Sequence, residues 1–208
     1  MSSAQTIDVV AGNVFPKYTS RNPLVRLLVA NFRSNLRELA EQTGAHQVHE
    51  VGCGEGFLAR QLAAQGFSVR GSDLSGTTIA EARQRSAEVA PPIAYQVADL
   101  YQLSPERDAA ELVICCEVLE HLPDTARALS ILRQLARPYL IVSVPKEPLW
   151  RILNMLRGKY WSALGNTPGH LQHWTRDGFT TLLRRHFDVL EVRAPLPWTM
   201  ALCRIRQR

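Results

Sequence analysis

The segment at residues 49–56, His-Glu-Val-Gly-Cys-Gly-Glu-Gly, constrains the fold of this chain more than any other. It follows a predicted β-strand over 46–51 and precedes a predicted helix that continues to about residue 65. Glycine adopts positive φ and lets a ligand approach where a Cβ would collide. The N–H groups at a helix N-terminus add partial positive charge at the same place. The segment therefore predicts a strand that ends in a ligand-binding turn and opens into a helix.

Four further apolar runs repeat this rhythm of strand and helix. With the first they predict five strands, at 46–51, 67–73, 93–97, 111–116 and 139–144. Strands that alternate with helices favour a parallel sheet with helices on both faces. Ligands bind such sheets beyond the carboxyl ends of the strands. Gly52, Asp73, Asp99 and Cys116 all follow predicted strand ends, so we expect them to converge on one edge.

The rhythm changes after Pro145. Residues 148–169 contain apolar side chains at helical spacing, then Tyr160 and Trp161, and then a turn rich in Gly and Pro. We interpret this segment as a cap inserted over the ligand pocket. A helix over 175–186 and two strands, 187–192 and 198–205, follow it. At the other end, Asn22-Pro23 is a strong helix start, and residues 15–21 before it are expected to form a loop or short lid.

Composition restricts the class of protein. With 208 residues and 46% hydrophobic content, the chain suits one domain with a self-sufficient core. Four cysteines without a C-x-x-C pair indicate reduced thiols, and residues 1–12 lack a signal-peptide pattern. We therefore expect a cytoplasmic protein.

Charge gives little indication of partners. The formal net charge of +5 is spread over scattered arginines, which does not favour a nucleic acid partner. Arg151, Arg157 and Lys159 beside two tryptophans are compatible with an anionic membrane surface. Amphipathic stripes usually pack on their own domain, so a membrane contact is not the expectation. The sequence carries no indication of an oligomeric state.

The acidic residues around the glycines indicate what the pocket binds. The glycines are spaced G-x-G-x-G, unlike the G-x-G-x-x-G of dinucleotide folds. Glu50, directly before them, suits a cationic amino-acid group better than a phosphate. Asp73 stands where an acid accepts hydrogen bonds from ribose hydroxyls; its structural alternative is a solvated turn residue. Asp99 stands where an acid accepts a hydrogen bond from an adenine amino group; its structural alternative is a turn cap.

Four segments together resemble class I S-adenosylmethionine (SAM)-dependent methyltransferases, of the small single-domain kind that includes ubiquinone-pathway O-methyltransferases. They are EVGCGEG (50–56), GSDLS (71–75), ADL (98–100) and CEVLEHL (116–122). The resemblance implies an α/β, Rossmann-like, seven-stranded and mostly parallel sheet, with the last strand antiparallel, helices on both faces and a small helical cap after the fifth strand. It implies SAM as cofactor. A small-molecule methyl acceptor is the leading expectation, and no residue is assigned to a metal. The implied cofactor-binding residues are Glu50 and Gly52 towards the methionine end, Asp73 at the ribose, Asp99 at the adenine, and Cys116 and Glu117 beside the sulfonium. Gly54, Gly56, Leu74 and Leu100 are expected to complete the cofactor-binding set.

On this interpretation residues 1–208 form a single domain. It divides into an N-terminal lid and helix (1–44), a cofactor-binding core (45–145), a cap and acceptor region (146–174), and a C-terminal helix with the last strands (175–208). The aromatic cap favours a hydrophobic, aromatic or lipid-linked acceptor.

Methyl transfer to oxygen requires a proton to be removed, and histidine suits that role near neutral pH. His121 is the first candidate for this general base and His173 the second. His46, His49 and His186 fall on predicted strand or helix positions and are interpreted as structural.

Two alternatives stay open at this point. Glu117, Glu120 and His121 form E-x-x-E-H, and with His170 or His173 they resemble the metal site of enzymes that methylate the terminal 2′-hydroxyl of small RNAs. Carboxylate and imidazole ligands suit Mg²⁺ or Mn²⁺. The other alternative is a protein that does not methylate, either a nicotinamide oxidoreductase or a SAM-binding regulator.

Overall fold

The computed structural model describes residues 18, 20–156, 158 and 160–206. Within them lies one seven-stranded sheet in the order β3-β2-β1-β4-β5-β7-β6. Strands β1 to β5 pair in parallel, and β7 runs antiparallel between β5 and β6, which confirms the predicted sheet. The strands are β1 Gln47–Val51, β2 Ser68–Asp73, β3 Ala94–Val97, β4 Ala110–Cys116, β5 Ala136–Pro145, β6 Asp188–Arg193 and β7 Trp198–Arg204.

Helices connect the strands largely where the sequence predicts them. They are α1 Pro23–Gln42, α2 Phe57–Ala63, α3 Gly76–Arg85, α4 Pro105–Asp108, α5 Thr125–Leu135, α6 Leu149–Leu156 and α7 Arg176–Arg184. Short 3₁₀ helices, which apolar periodicity does not reveal, cover Leu100–Gln102, Leu119–His121 and Trp161–Ala163. Asn22 caps α1 by accepting from the Leu24 N–H at 2.9 Å, and Ser75 caps α3, as expected of both residue types.

The core forms one layer on each side of the sheet. Because side chains alternate along a strand, β4 sends Leu112 and Ile114 to one layer and Val113 and Cys115 to the other. All four are fully buried, as expected for a central parallel strand. The first layer is completed by helices α1, α2 and α3, and the second by α5 and α7.

His49 is a structural residue, as expected. Its Nδ1 lies 2.7 Å from the Asp108 carbonyl oxygen and its Nε2 lies 2.9 Å from the Ser72 hydroxyl. The carbonyl only accepts, so Nδ1 donates and Nε2 accepts. Burial lowers the pKa of His49 to about 4, so the ring is neutral at physiological pH.

None of the described helices is both long enough and apolar enough to span a lipid bilayer. The predicted lid at 15–21 lies outside the described residues except for Tyr18, Ser20 and Arg21, and the N-terminal segment 1–12 lies wholly outside them.

Candidate functional site

The glycine turn after β1 is built as the sequence predicts. Gly52, Gly54 and Gly56 have φ of 76°, 52° and 69°, in the left-handed region that costs glycine little. At Gly52 a Cβ would also collide with Cγ2 of Val118, so a larger residue would force Val118 to move in addition to straining the backbone. The Gly52 N–H donates to the Ser72 carbonyl at 2.7 Å, which ties the turn to the end of β2.

Asp73, at the end of β2, holds two turns together. Its Oδ2 accepts from the Gly54 N–H and its Oδ1 from the Ser75 N–H, both at 2.9 Å. A carboxylate has further acceptor capacity beyond two such bonds. Asp73 is therefore fixed in orientation and can still receive hydroxyl donors from a ligand.

Asp99, after β3, caps a turn, which was the structural alternative to binding adenine in the sequence analysis. Its Oδ1 accepts from the Tyr101 N–H at 2.9 Å and begins the 3₁₀ turn that contains Leu100. Leu100 is buried, whereas Leu74 is half-exposed beside Asp73. The capping contact leaves the other carboxylate oxygen of Asp99 available for a ligand.

Glu50 is the most unusual acid of the site. It is buried, and its Oε2 has no hydrogen-bond partner among the described residues. Burial raises the pKa of its carboxyl to about 8; the Asp73 carboxylate acts in the same direction, and a backbone hydrogen bond from Ala59 opposes it. A buried polar atom without a partner, next to a glycine turn, indicates a ligand group that completes it.

Tyr18 covers the same turn from the N-terminal side. Its ring stacks on Phe57, the first residue of α2, with centroids 4.3 Å apart. Burial raises the pKa of the Tyr18 hydroxyl well above its ordinary value, and the charges of Glu50, Cys116 and Glu117 add to this effect. The sequence analysis placed this residue in a lid but gave it no role. Its contact with Phe57 joins residues 39 positions apart, so no local pattern indicates it.

Glu117 follows Cys116 at the end of β4 with φ of 59°, a value that non-glycine residues rarely adopt. This conformation directs its carboxylate to β7, where Oε2 accepts from the Trp198 indole N–H at 2.6 Å. Its Oε1 lies 3.5 Å from the Ser143 hydroxyl. The sequence analysis missed the Trp198 partner, because a contact between residues 81 positions apart leaves no local pattern.

A carboxylate and two imidazoles meet beyond β4. The ligand atoms of Glu120, His121 and His170 lie within 4.8 Å of one another. The His121 Nδ1 lies 2.9 Å from the Gly169 carbonyl oxygen, so Nδ1 carries the hydrogen and Nε2 is the basic nitrogen of the neutral ring. The Leu171 N–H also donates to the backbone carbonyl of Glu120 at 2.8 Å, which joins the cap to the core.

The second histidine candidate lies elsewhere. His173 is exposed, and its Nε2 lies 2.7 Å from the side-chain oxygen of Asn166. His170 faces His121 with ring centroids 4.9 Å apart. Of the two cap histidines that the sequence analysis considered, the structure therefore brings His170, and not His173, to His121.

Hydrogen bonds within the cap position the segment that contains His170, and the sequence analysis did not identify them. Trp150 on α6 donates to the Thr167 hydroxyl at 2.9 Å, and Asn154 donates to the same oxygen at 3.0 Å. The Trp150 ring then stacks on His170, with centroids 6.1 Å apart. Glu147, at the start of the cap, is buried, and burial raises the pKa of its carboxyl.

This arrangement combines two kinds of chemistry. The glycine turn, Asp73 and Asp99 suit a nucleoside, and Glu50 suits a cationic group attached to it. Beyond β4, an oriented imidazole faces an aromatic cap, where it is able to accept a proton from a bound molecule.

Comparisons with known proteins agree with this description. Residues 49–142 match the family model described as a methyltransferase domain. The chain is 31% identical over 145 residues to a ubiquinone biosynthesis O-methyltransferase of Methylococcus capsulatus, covering 62% of this chain and 60% of that protein. It is 30% identical over 155 residues to the protein of the same name from Coxiella burnetii, covering 67% and 65%. The chain thus spans less than two thirds of the length of these relatives.

Solved structures share the fold. The magnesium protoporphyrin IX methyltransferase (ChlM) of Synechocystis PCC 6803 with bound SAH has a TM-score of 0.67 and 22% identity, covering 90% of this chain and 89% of that one. The methyltransferase domain of bacterial CtHen1-CN has a TM-score of 0.67 and 21% identity, covering 86% and 100%.

Proposed function

The domain belongs to the class I SAM-dependent methyltransferases, and from that premise we propose that it transfers a methyl group to an oxygen atom of a hydrophobic, aromatic or lipid-linked small molecule. The observation that carries the choice of oxygen is His121. A hydroxyl acceptor must lose a proton, and the Gly169 carbonyl holds His121 with its basic Nε2 beside Glu120 and His170. The names of the relatives, which are ubiquinone biosynthesis O-methyltransferases, support the same choice.

The residues present fit the cofactor. SAM carries a cationic ammonium and a sulfonium but no phosphate, and Glu50 has a buried oxygen without a partner among the described residues. We assign Glu50 and Gly52 to the methionine end, Asp73 to the ribose and Asp99 to the adenine. Gly54, Gly56, Leu74, Leu100, Cys116 and Glu117 complete the assignment.

Glu50 makes this assignment testable without an acceptor. With a pKa of about 8 the carboxyl is mainly protonated at neutral pH, and an ammonium group beside it favours the charged form. Binding of SAM near pH 7 should therefore release a proton. Calorimetric titration in two buffers of different ionisation enthalpy measures this release, and the Glu50→Gln variant should abolish it.

In the proposed reaction the cofactor supplies an electrophilic methyl group, and the protein aligns the acceptor and removes its proton. Alignment of reactants is worth about 7–11 kcal/mol in favourable cases. His121 Nε2 accepts the hydroxyl proton while the Gly169 carbonyl stabilises the resulting imidazolium through Nδ1–H. The stacked Trp150 and His170 rings offer a flat surface to an aromatic acceptor.

The test follows SAM conversion to S-adenosylhomocysteine with a panel of phenols and catechols, with and without prenyl chains. For an accepted compound, His121→Ala should lower turnover by about 10²–10⁴-fold while SAM affinity is unchanged. His46→Ala is the matched control, because His46 is exposed at the amino end of β1. Unchanged turnover in His121→Ala would assign the base to another residue.

The grouping of Glu120, His121 and His170 supports a second candidate, metal-assisted 2′-O-methylation of RNA. One carboxylate and two imidazoles suit a divalent transition metal such as Mn²⁺. The other expected ligands are engaged elsewhere: Glu117 with Trp198, and His173 with Asn166. Methylation of a small RNA 3′ end that stops on chelation and returns with Mn²⁺ would favour this candidate. Chelator-resistant methylation of a phenol would favour the first.

The alternatives without methylation are separated by binding and turnover. A nicotinamide oxidoreductase is disfavoured by the methyltransferase family match. A regulator would bind SAM and give no S-adenosylhomocysteine with any acceptor.

A further inference from the structure

A groove lies between helix α7 and strand β6, at the end of the sheet farthest from β3. Its volume is about 250 Å³, slightly below the usual range of drug-sized sites, so it suits a small ligand. Three strand spacings separate β6 from β4 and four separate it from β1, which are distances of about 14 Å and 19 Å. The groove is therefore apart from the glycine turn. We call it the α7 groove, and it is lined by Arg176, Asp177, Thr180, Thr181, Arg184 and Val192.

The α7 groove contains two guanidinium groups that have no carboxylate partner. Arg176 and Arg184 are exposed, and neither forms an ion pair with any residue that the structure describes. The guanidinium of Arg176 makes only a long contact of 3.5 Å to the Val192 carbonyl oxygen. Arg193 on β6, by contrast, pairs with Glu38 at 2.6 Å. Arg176 and Arg184 therefore keep N–H donors available to an anion from outside the chain.

Helical spacing allows the two arginines to share one ligand. They are eight residues apart, so their Cα atoms are separated by about 12 Å along α7, and two long side chains span this distance from both ends. Thr181 lies between them and is exposed, so its hydroxyl is placed to donate to the same ligand. The Thr180 hydroxyl already donates to the Arg176 carbonyl at 2.8 Å. Val192 packs against the second core layer and adds an apolar surface to the groove.

These groups indicate the chemistry of the ligand. The guanidinium fork matches the oxygens of a phosphate, and a hydroxyl donates to them as well. Asp177 only accepts hydrogen bonds when ionised, so it suits hydroxyl groups attached to the same ligand and disfavours a bare anion. We propose that the α7 groove binds a small phosphate monoester that carries hydroxyl groups, such as a phosphorylated polyol. This site goes beyond the proposed methyl transfer and does not depend on it.

A nucleic acid strand suits the groove less well than a small molecule. A strand is held by successive phosphate contacts along its path. Here a carboxylate, that of Asp177, stands beside the two arginines. The nearby Arg206 is already paired with Asp188 at 3.1 Å, so it does not extend the positive surface freely.

The experiment is titration of the full 208-residue chain with glycerol 3-phosphate at an ionic strength of about 0.1 M, where distant charges are screened. Calorimetry measures the affinity, and backbone amide chemical shifts locate the site. We expect saturable binding, with the largest shifts at Thr181 and Arg184. Glycerol alone should not bind, and inorganic phosphate should bind more weakly because it offers no alcohol hydroxyl to Asp177.

Substitutions separate the groove from the general positive charge of the surface. Arg184→Ala should weaken the binding of glycerol 3-phosphate about tenfold or more, because charge-assisted hydrogen bonds are lost. Arg184→Lys should restore part of the affinity. Arg185→Ala is the matched control, since Arg185 is the next residue, is exposed and does not line the groove, and it should change the affinity far less. Asp177→Ala should remove the preference for glycerol 3-phosphate over inorganic phosphate. Circular dichroism must show that the variants fold.

Four outcomes would overturn the proposal. They are no saturable binding, equal weakening by Arg184→Ala and Arg185→Ala, chemical shifts confined to the glycine turn at 52–56, and displacement of glycerol 3-phosphate by a lower concentration of a single-stranded RNA oligonucleotide. The third would place the phosphate at the candidate cofactor site, and the fourth would assign the arginines to a nucleic acid. No methyl transfer is measured, so failure here leaves the proposed activity standing.

Discussion

Replacement of Glu50 by glutamine should make the apo protein more resistant to alkaline conditions. In the wild type, burial raises the pKa of Glu50 to about 8 from an ordinary value of 4.5. Below pH 4.5 the carboxyl is protonated in both the folded and the unfolded state, so it contributes no difference. As the pH rises from 4.5 to 8 the unfolded state releases this proton and the folded state keeps it. The free energy of unfolding therefore falls across that window.

The size of the effect follows from the shift. One pKa unit corresponds to about 1.4 kcal/mol, so between about pH 5 and pH 8 the wild type should lose about 3–4 kcal/mol through Glu50. The side chain of the Glu50→Gln variant cannot ionise. Its amide oxygen keeps the hydrogen bond from the Ala59 backbone, and any cost of burying its NH₂ group is the same at every pH. The pH dependence of the difference between variant and wild type thus isolates the ionisation.

The assay is urea denaturation followed by circular dichroism at several pH values from 5 to 8, without SAM. Glu106→Gln removes the same charge from an exposed position and serves as the control. If the difference between Glu50→Gln and wild type stays flat across this range, the Glu50 carboxyl is ionised in the folded protein. The inference that Glu50 is a desolvated, protonated acid that binds a cationic ligand group would then be refuted.

Three further predictions concern the same edge of the sheet. Gly52→Ala should lower the free energy of unfolding by about 2–4 kcal/mol, because alanine is strained at positive φ and its Cβ collides with Val118. Adding Val118→Ala should restore part of this loss, and additive effects of the two substitutions in a double-mutant cycle would contradict the collision. Asp73→Ala should weaken SAM binding by about 1–3 kcal/mol in calorimetry, and unchanged affinity would remove Asp73 from the ribose site. Trp198→Phe should lower the free energy of unfolding by about 1–3 kcal/mol in chemical denaturation, because it removes the hydrogen-bond donor to Glu117. The loss should be smaller when Glu117 is already replaced by glutamine. An equal loss in that background would mean that Trp198 stabilises the fold through packing and not through this hydrogen bond.

The elements of the sheet were predictable because their determinants are local. The apolar run of β4 and the glycines after β1 act on neighbouring residues, so the sequence contains both the element and its end. The capping of α3 by Ser75 was predictable for the same reason. Helix ends are harder to predict: α3 ends at Arg85, and three residues in a turn conformation follow it without a local signal that stops the helix there.

The candidate site was predictable only in part. Glycine positions and the acids after the strands follow from topology, since parallel strands bring their carboxyl ends to one edge. The contact of Glu117 with Trp198 and the stacking of Tyr18 on Phe57 depend on tertiary packing between distant segments. The orientation of α6 was missed because a buried Asn154 and an exposed Leu156 invert the rule by which helix faces are assigned.

In the reaction proposed above, the hydrogen bond from His121 to Gly169 links proton transfer to enclosure of the acceptor. Only with the cap folded against β4 does the Gly169 carbonyl select which imidazole nitrogen bears hydrogen. If the cap detaches, the ring loses that preference. The proposed base is therefore prepared only while the cap encloses the site.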